Sequence, residues 1–186
     1  MESVLDRVIK QNTENVNLLK TKDYNIFSVL QIQSKEVLIC RMTADLLNPR
    51  GQHGAGAEYL KIFLKDCLGM EKMDTKLADQ AIVTAEYAID DERRIDIVIE
   101  MGSHFLPIEV KIYAADQKSQ CFDYYQYAKR RDAQAKVYYL PLDGHRPGKD
   151  STSSGSQSVP EEDIVCLSFR EHILNWLKAC KSCENT

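Results

Sequence analysis

An α/β domain with a mixed central sheet flanked by helices is the fold class this sequence predicts, on three observations. Apolar residues recur at helical spacing in the first third of the chain. Segments between 82 and 113 alternate apolar and polar residues as strands do. The remainder then reads as helix, strand, strand, helix. The 186 residues are 44% hydrophobic and 28% charged, with eight Gly and five Pro. That is enough apolar material for one core, and residues 1–186 are read as a single domain.

Val4, Leu5, Val8, Ile9, Val16, Leu18 and Leu19 fall at helical spacing, so residues 1–23 are read as an N-terminal helix. Ser34 is a good N-cap for a second helix carrying Val37, Leu38, Cys40, Ala44, Leu46 and Leu47, which must stop by Asn48-Pro49. Arg50 to Gly56 is a glycine-rich turn. A third helix over about 57–68 closes at Gly69. Strands are expected over 82–89, 94–100 and 105–113, then a helix over 116–132 and a strand over 136–140. Residues 143–163, rich in Gly, Pro and Ser, are read as a long mobile loop. A short strand over 164–167 follows. Ser168-Phe169-Arg170-Glu171 is then a capping box opening a last helix with Ile173, Trp176, Leu177 and Cys180 on one face.

Twenty-four basic against 28 acidic residues give a net charge of −4, which excludes coating of nucleic acid by bulk positive charge. It leaves room for an enzyme that touches DNA through a local basic patch. No window approaches the roughly 18 apolar residues a membrane span needs, and no signal peptide is visible at Met1-Glu2-Ser3. The six cysteines sit mostly singly in apolar segments. They are read as reduced, buried thiols of a cytoplasmic protein. Cys180-x-x-Cys183 lacks the second ligand pair a zinc site requires.

The chemistry lies in the hairpin. In Arg94–Glu100, Ile95, Ile97 and Ile99 alternate with Asp96, Val98 and Glu100; in Pro107–Ile112, Ile108, Val110 and Ile112 alternate with Glu109 and Lys111. A two-residue type II′ turn at Gly102-Ser103 makes paired positions sum to 205. Ile97 then faces Ile108, Ile95 faces Val110, and Asp96 lies opposite Glu109. Opposed carboxylates repel. A divalent cation between them compensates, and hard Mg²⁺ prefers such oxygens. It would polarise a phosphodiester, with Lys111 orienting or deprotonating the attacking water. The other reading of these residues is a solvated sheet face with a Glu109–Lys111 ion pair. Arg94, on the Asp96 face by alternation, is the best substrate-phosphate candidate.

Asp96-x₁₂-Glu109-x-Lys111, set in this order of elements, resembles the PD-(D/E)XK nuclease superfamily and its restriction-endonuclease-like αβββαβ core. Ile95 stands where Pro is frequent. Gln120-x-x-x-Tyr124 resembles the QxxxY pattern of the lambda exonuclease branch. The run Ala44-Asp45-Leu46-Leu47-Asn48-Pro49 with Gly51-x-His53-Gly54, together with Arg93-Arg94-Ile95-Asp96 and Asp116-Gln117, resembles an uncharacterised bacterial family of that superfamily over roughly residues 24–180. Where that family usually has Glu-Asn-Lys, this chain has Glu109-Val110-Lys111.

The resemblance implies a metal-dependent nuclease acting on nucleic acid, DNA foremost, in exonuclease-like fashion, with Mg²⁺ as cofactor and Mn²⁺ as substitute. It implies Asp96, Glu109, the Val110 carbonyl and Glu36 as metal ligands, Glu86 as a weaker acidic candidate, and Asp96, Glu109 and Lys111 as catalytic residues. Gln120, Tyr124 and His53 are implied as substrate contacts. Two rivals remain: a catalytically silent nuclease fold serving as a nucleic-acid-binding or regulatory module, and a structural domain whose acidic face is merely solvated.

Overall fold

Glu36–Leu47 forms the first described helix, α1, and Pro49 stops it two residues on. The computed structural model describes residues 35–71 and 73–183, so the helix expected over 1–23 lies outside the described residues. Beyond α1 the chain turns around one carbonyl. The amide of Gly51 (2.8 Å) and Nε2 of His53 (3.0 Å) both bond to Asn48 O. A Cβ at Gly51 would stand 2.2 Å from the Asp45 carbonyl oxygen, so only glycine fits there. Helix α2 (Glu58–Asp66) closes at Gly69, whose φ of 66° lets the Met70 amide reach Leu64 O at 2.9 Å. A short helix, α3 (Thr75–Asp79), follows, with the Asp74 side chain capping the Lys76 amide. At five residues it is too short to show a helical period in the sequence.

Strands β1 (Ile82–Ala88), β2 (Arg94–Met101) and β3 (His104–Lys111) come next, then helix α4 (Gln120–Arg131) and strand β4 (Val137–Pro141). A short helix α5 (Lys149–Thr152), a hairpin β5 (Ser153–Ser154) with β6 (Gln157–Ser158), strand β7 (Ile164–Cys166) and helix α6 (Leu174–Cys183) complete the described chain. The five-stranded sheet runs β1-β2-β3-β4-β7, antiparallel through β3 and parallel beyond it. It is the mixed α/β sheet of a restriction-endonuclease-like fold.

Helices α1, α2 and α6 cover one face. Cys40, Leu47, Leu60, Phe63 and Trp176 pack there on Ile97, Ile99, Ile108 and Leu140. Helix α4 covers the other, where Tyr124 and Ala128 meet Ile95, Val98 and Phe105. The Trp176 indole N–H donates to Tyr59 O at 2.8 Å, tying α6 to α2. Ser168 Oγ caps the last helical segment by accepting the Glu171 amide. The return bond of the expected capping box comes from His172 instead, whose Nδ1 accepts the Ser168 amide.

Residues 143–163, which composition reads as one continuous loop, hold α5, the β5–β6 hairpin and a 3₁₀ turn at Glu161–Asp163. This segment caps α4. Ser119 enters that helix at a φ of 57° and makes no side-chain cap of its own. Instead the wholly buried Ser151 accepts the Cys121 amide on Oγ, and Asp150 O accepts the Ser119 amide. Distant residues thus satisfy orphan donors of the helix. All six cysteines are free thiols, four of them buried (Cys40, Cys67, Cys121, Cys180). Among the described residues no helix is long and apolar enough to cross a membrane.

Candidate active site

The β2–β3 register begins as expected, from Met101 opposite His104 to Ile97 opposite Ile108. Gly102 at a φ of 57° makes the turn. The ladder then ends one residue short of Asp96 and Glu109. Here the expectation that Ile95 shares a face with Ile97 and Ile99 is corrected. Ile97 and Ile99 pack under α1, whereas Ile95 packs under α4 with Val98. Strand β1 changes face at the same level, Val83 and Ala85 lying on the α1 side and Tyr87 on the α4 side. Glu86, a non-glycine residue at a φ of 56°, turns the edge strand over where it passes Asp96. Such strain, on the order of 1–3 kcal/mol, collects at functional sites.

The reversal opens the sheet between β2 and β3, and Asp96 fills the gap. Its Oδ2 accepts the Val110 amide at 2.8 Å, replacing the backbone bond the ladder would have made. In an extended strand the N–H and C=O of one residue point the same way, so the Val110 carbonyl also faces the gap. Glu109, on the α4 face, is 1% exposed. Its Oε1 receives Lys111 Nζ at 2.7 Å, while its Oε2 is buried with no donor group facing it, the Asp96 carboxyl being within hydrogen-bonding reach.

Burial first, and the Asp96 carboxylate second, hold Glu109 well above the usual carboxylate range, with Lys111 opposing. Asp96 is raised as well, by burial, against the pull of the Val110 amide and Lys111. Lys111 is pushed up despite its own burial, because Glu109 stabilises the ammonium. Two carboxyl groups and one cation thus share a site with one unmet oxygen lone-pair set. Carboxyls whose folded pKa lies above the unfolded value stabilise the fold fully below about pH 4.3 and lose that contribution as pH rises. In EDTA the melting temperature of the wild-type chain is expected to drop relative to that of Asp96→Asn between about pH 4.3 and neutrality. Equal slopes would contradict the coupling.

Glu36 lies at the same end of the sheet with a different task. Its Oε1 accepts three successive amides, those of Ile112, Tyr113 (2.7 Å) and Ala114 (3.2 Å). Burial works to raise its pKa, but these amides outweigh burial and hold the carboxyl below its ordinary range. One oxygen of the carboxyl expected to hold metal thus fixes the exit of β3. Glu36→Ala is expected to cost about 2 kcal/mol, the worth of hydrogen bonds to a charged acceptor. Denaturant unfolding measures it, and the variant should keep its thermal response to Mg²⁺. The buried Cys40 thiol, one turn further along α1, is pushed up by burial and then by the negative charges of Asp96, Glu109, Glu86 and Glu36. Among the described residues no three His, Cys, Asp or Glu side chains form a ready metal cage. The donor set is two carboxylates and a backbone carbonyl, and the unpartnered Glu109 Oε2 fits a hard divalent ion.

Several residues expected to touch substrate are occupied otherwise. Gln120 and Tyr124 are buried; Gln120 Nε2 donates to Tyr124 Oη at 3.0 Å, and that hydroxyl donates to the Arg94 carbonyl. They share a helix face, as their spacing requires, but they fasten α4 to β2 two residues before Asp96. Both ring nitrogens of His53 are used inside its turn, Nε2 on Asn48 O and Nδ1 accepting the Ala55 amide, and the ring stacks on Tyr59 at 4.6 Å. It stabilises the turn. Arg94 is exposed at the start of β2.

Its neighbour Arg93 is a clamp, bonded to Asp123, Gln117 and the Lys118 carbonyl. Lys129 pairs with Asp163, and Arg131 pairs with Glu100 over the rings of Phe105, Tyr87 and Tyr127. Asp116 accepts the Tyr139 hydroxyl at 2.8 Å and the Gly148 amide at 2.7 Å, a joint between β4 and the 143–163 segment. Alternation and motif spacing show none of these structural roles, because each depends on a partner more than 20 residues away.

The model of one family, the PD-(D/E)XK nuclease superfamily, matches residues 24–185. No curated protein and no solved structure matches the chain.

Proposed function

Because the chain belongs to the PD-(D/E)XK nuclease superfamily, we propose that it is a divalent-metal-dependent nuclease that hydrolyses phosphodiester bonds, in DNA and in exonuclease-like fashion. The single observation that carries the reading is the buried, unpartnered Glu109 Oε2 beside Asp96, at the point where β2 and β3 part. A metal-free site of this kind is electrostatically incomplete.

Asp96, Glu109 and the Val110 carbonyl would hold Mg²⁺, with Mn²⁺ as substitute. When bound, the cation supplies charge neutralisation at the scissile phosphate. Lys111 is an ammonium whose pKa is raised by Glu109. It therefore donates hydrogen bonds rather than taking a proton: one to Glu109 Oε1, the others to the attacking water and to charge developing on phosphate oxygen. Glu36 and the Gln120–Tyr124 pair act through the backbone, Glu36 setting the exit of β3 and the pair setting the entry of β2. Arg94, exposed at the start of β2, would meet a substrate phosphate.

The test is hydrolysis of end-labelled single-stranded DNA, duplex DNA and RNA in Mg²⁺, Mn²⁺ or EDTA. Expected is metal-dependent cleavage of DNA that begins at an end and is lost in EDTA. Binding of nucleic acid with no hydrolysis in either metal would replace this reading with that of a silent nucleic-acid-binding module.

A further inference from the structure

Tyr113 is the only exposed aromatic residue among those described, at 63% relative exposure. It lies two residues beyond Lys111, so its Cα is within about 7 Å of the site along the chain. An exposed tyrosine on a mobile segment would mean little, but this one is held. Its amide donates to Glu36 Oε1 at 2.7 Å, and the amides on either side donate to the same oxygen. Ile112, one residue earlier, packs against the core under α1. Ala114 and Ala115, which follow, are exposed and small. The backbone is thus fixed two residues beyond Lys111 while the ring stands open to water.

We infer that Tyr113 is a stacking platform for an unpaired nucleobase, so that the substrate enters the site as a single strand or a frayed end. This inference rests on the nuclease reading and narrows it. Charge alone serves the substrate poorly here. The net charge is −4, and Arg93, Lys129 and Arg131 are committed within the fold. Affinity for a polyanion then draws on more than the phosphate contact proposed for Arg94. Stacking on an aromatic ring supplies a second contact, and it tolerates any base because every base has a π-face. A paired base inside a duplex presents no free face, which is why the inference selects unpaired nucleotides.

The test measures fluorescence anisotropy of labelled oligo(dT) and of an oligomer of the same length built from abasic sugars. It uses Asp96→Asn protein in EDTA, so that no cleavage intervenes. Oligo(dT) is expected to bind about 10-fold more tightly than the abasic strand. Adding Tyr113→Ala should erase that difference, whereas Tyr113→Phe and Tyr113→Trp should keep it, with the tryptophan emission quenched by oligo(dT). A base-dependent difference that survives Tyr113→Ala, or is absent from the start while both strands bind, would overturn the stacking role and leave the nuclease reading intact. Absence of both binding and hydrolysis in the wild-type chain would overturn the two together.

Discussion

Asp96→Asn is expected to be more heat-stable than the wild-type chain in EDTA at neutral pH, and inactive in Mg²⁺. Asparagine keeps an oxygen for the Val110 amide, which now bonds to Asp96 Oδ2. It removes the negative charge that, after burial, does most to hold the Glu109 carboxyl up. The amide nitrogen it introduces can donate to Glu109, whose Oε2 has no partner. Exchanging a like-charge contact for a hydrogen bond is worth about 1 kcal/mol, which in a chain of this size is roughly 2–4 °C in melting temperature. Activity should fall by a factor on the order of 10³, since a lost ligand removes charge stabilisation at the reacting phosphate. Differential scanning fluorimetry and the end-labelled cleavage assay read the two effects. A variant less stable than wild type in EDTA would contradict the description of Asp96 and Glu109 as a strained pair.

Lys111→Met separates the ligand role from the catalytic one. Methionine replaces most of the apolar stem and fills much of the buried space, but it lacks the ammonium that rests 2.7 Å from Glu109 Oε1. Hydrolysis should fall about 10²–10³-fold, the cost of losing one preorganised donor. The thermal response to Mg²⁺ should persist or grow, because a competing cation has left the carboxylates. Lys111→Arg is not expected to restore activity, since a planar guanidinium cannot occupy the place of a compact ammonium. Joint loss of activity and metal response in Lys111→Met would mean that the lysine builds the metal site rather than acting on the water.

The hairpin was legible because alternation of period two is written locally. Turn, register and the pairing of Ile97 with Ile108 follow from Gly102-Ser103 and the isoleucines alone. The parting of the strands at Asp96 was not legible. It coincides with the left-handed backbone of Glu86 on the neighbouring strand, and no residue preference announces a glutamate there. The same division holds for the site. The spacing of Asp96, Glu109 and Lys111 places them together, whereas Glu36 clamps backbone amides 76 to 78 positions away. Gln120 and Tyr124 were identified as a pair on one helix face, but what that face meets is set by the docking of α4 on β2. His53 and its glycines, which look like a ligand loop, form a turn around Asn48 O. Buried Ser151 shows why composition misread 143–163: a polar segment becomes ordered when it satisfies a helix end.

Whether Asp96 and Glu109 form one divalent-cation site is read by titrating the unfolding temperature with Mg²⁺ and Mn²⁺. A ligand that binds only the folded chain raises that temperature with concentration. Expected are a rise with either metal in the wild-type protein, its persistence in Glu36→Ala, and its loss in Asp96→Asn. An equal rise in Asp96→Asn, or none in the wild-type protein with oligonucleotide present, would contradict a shared site.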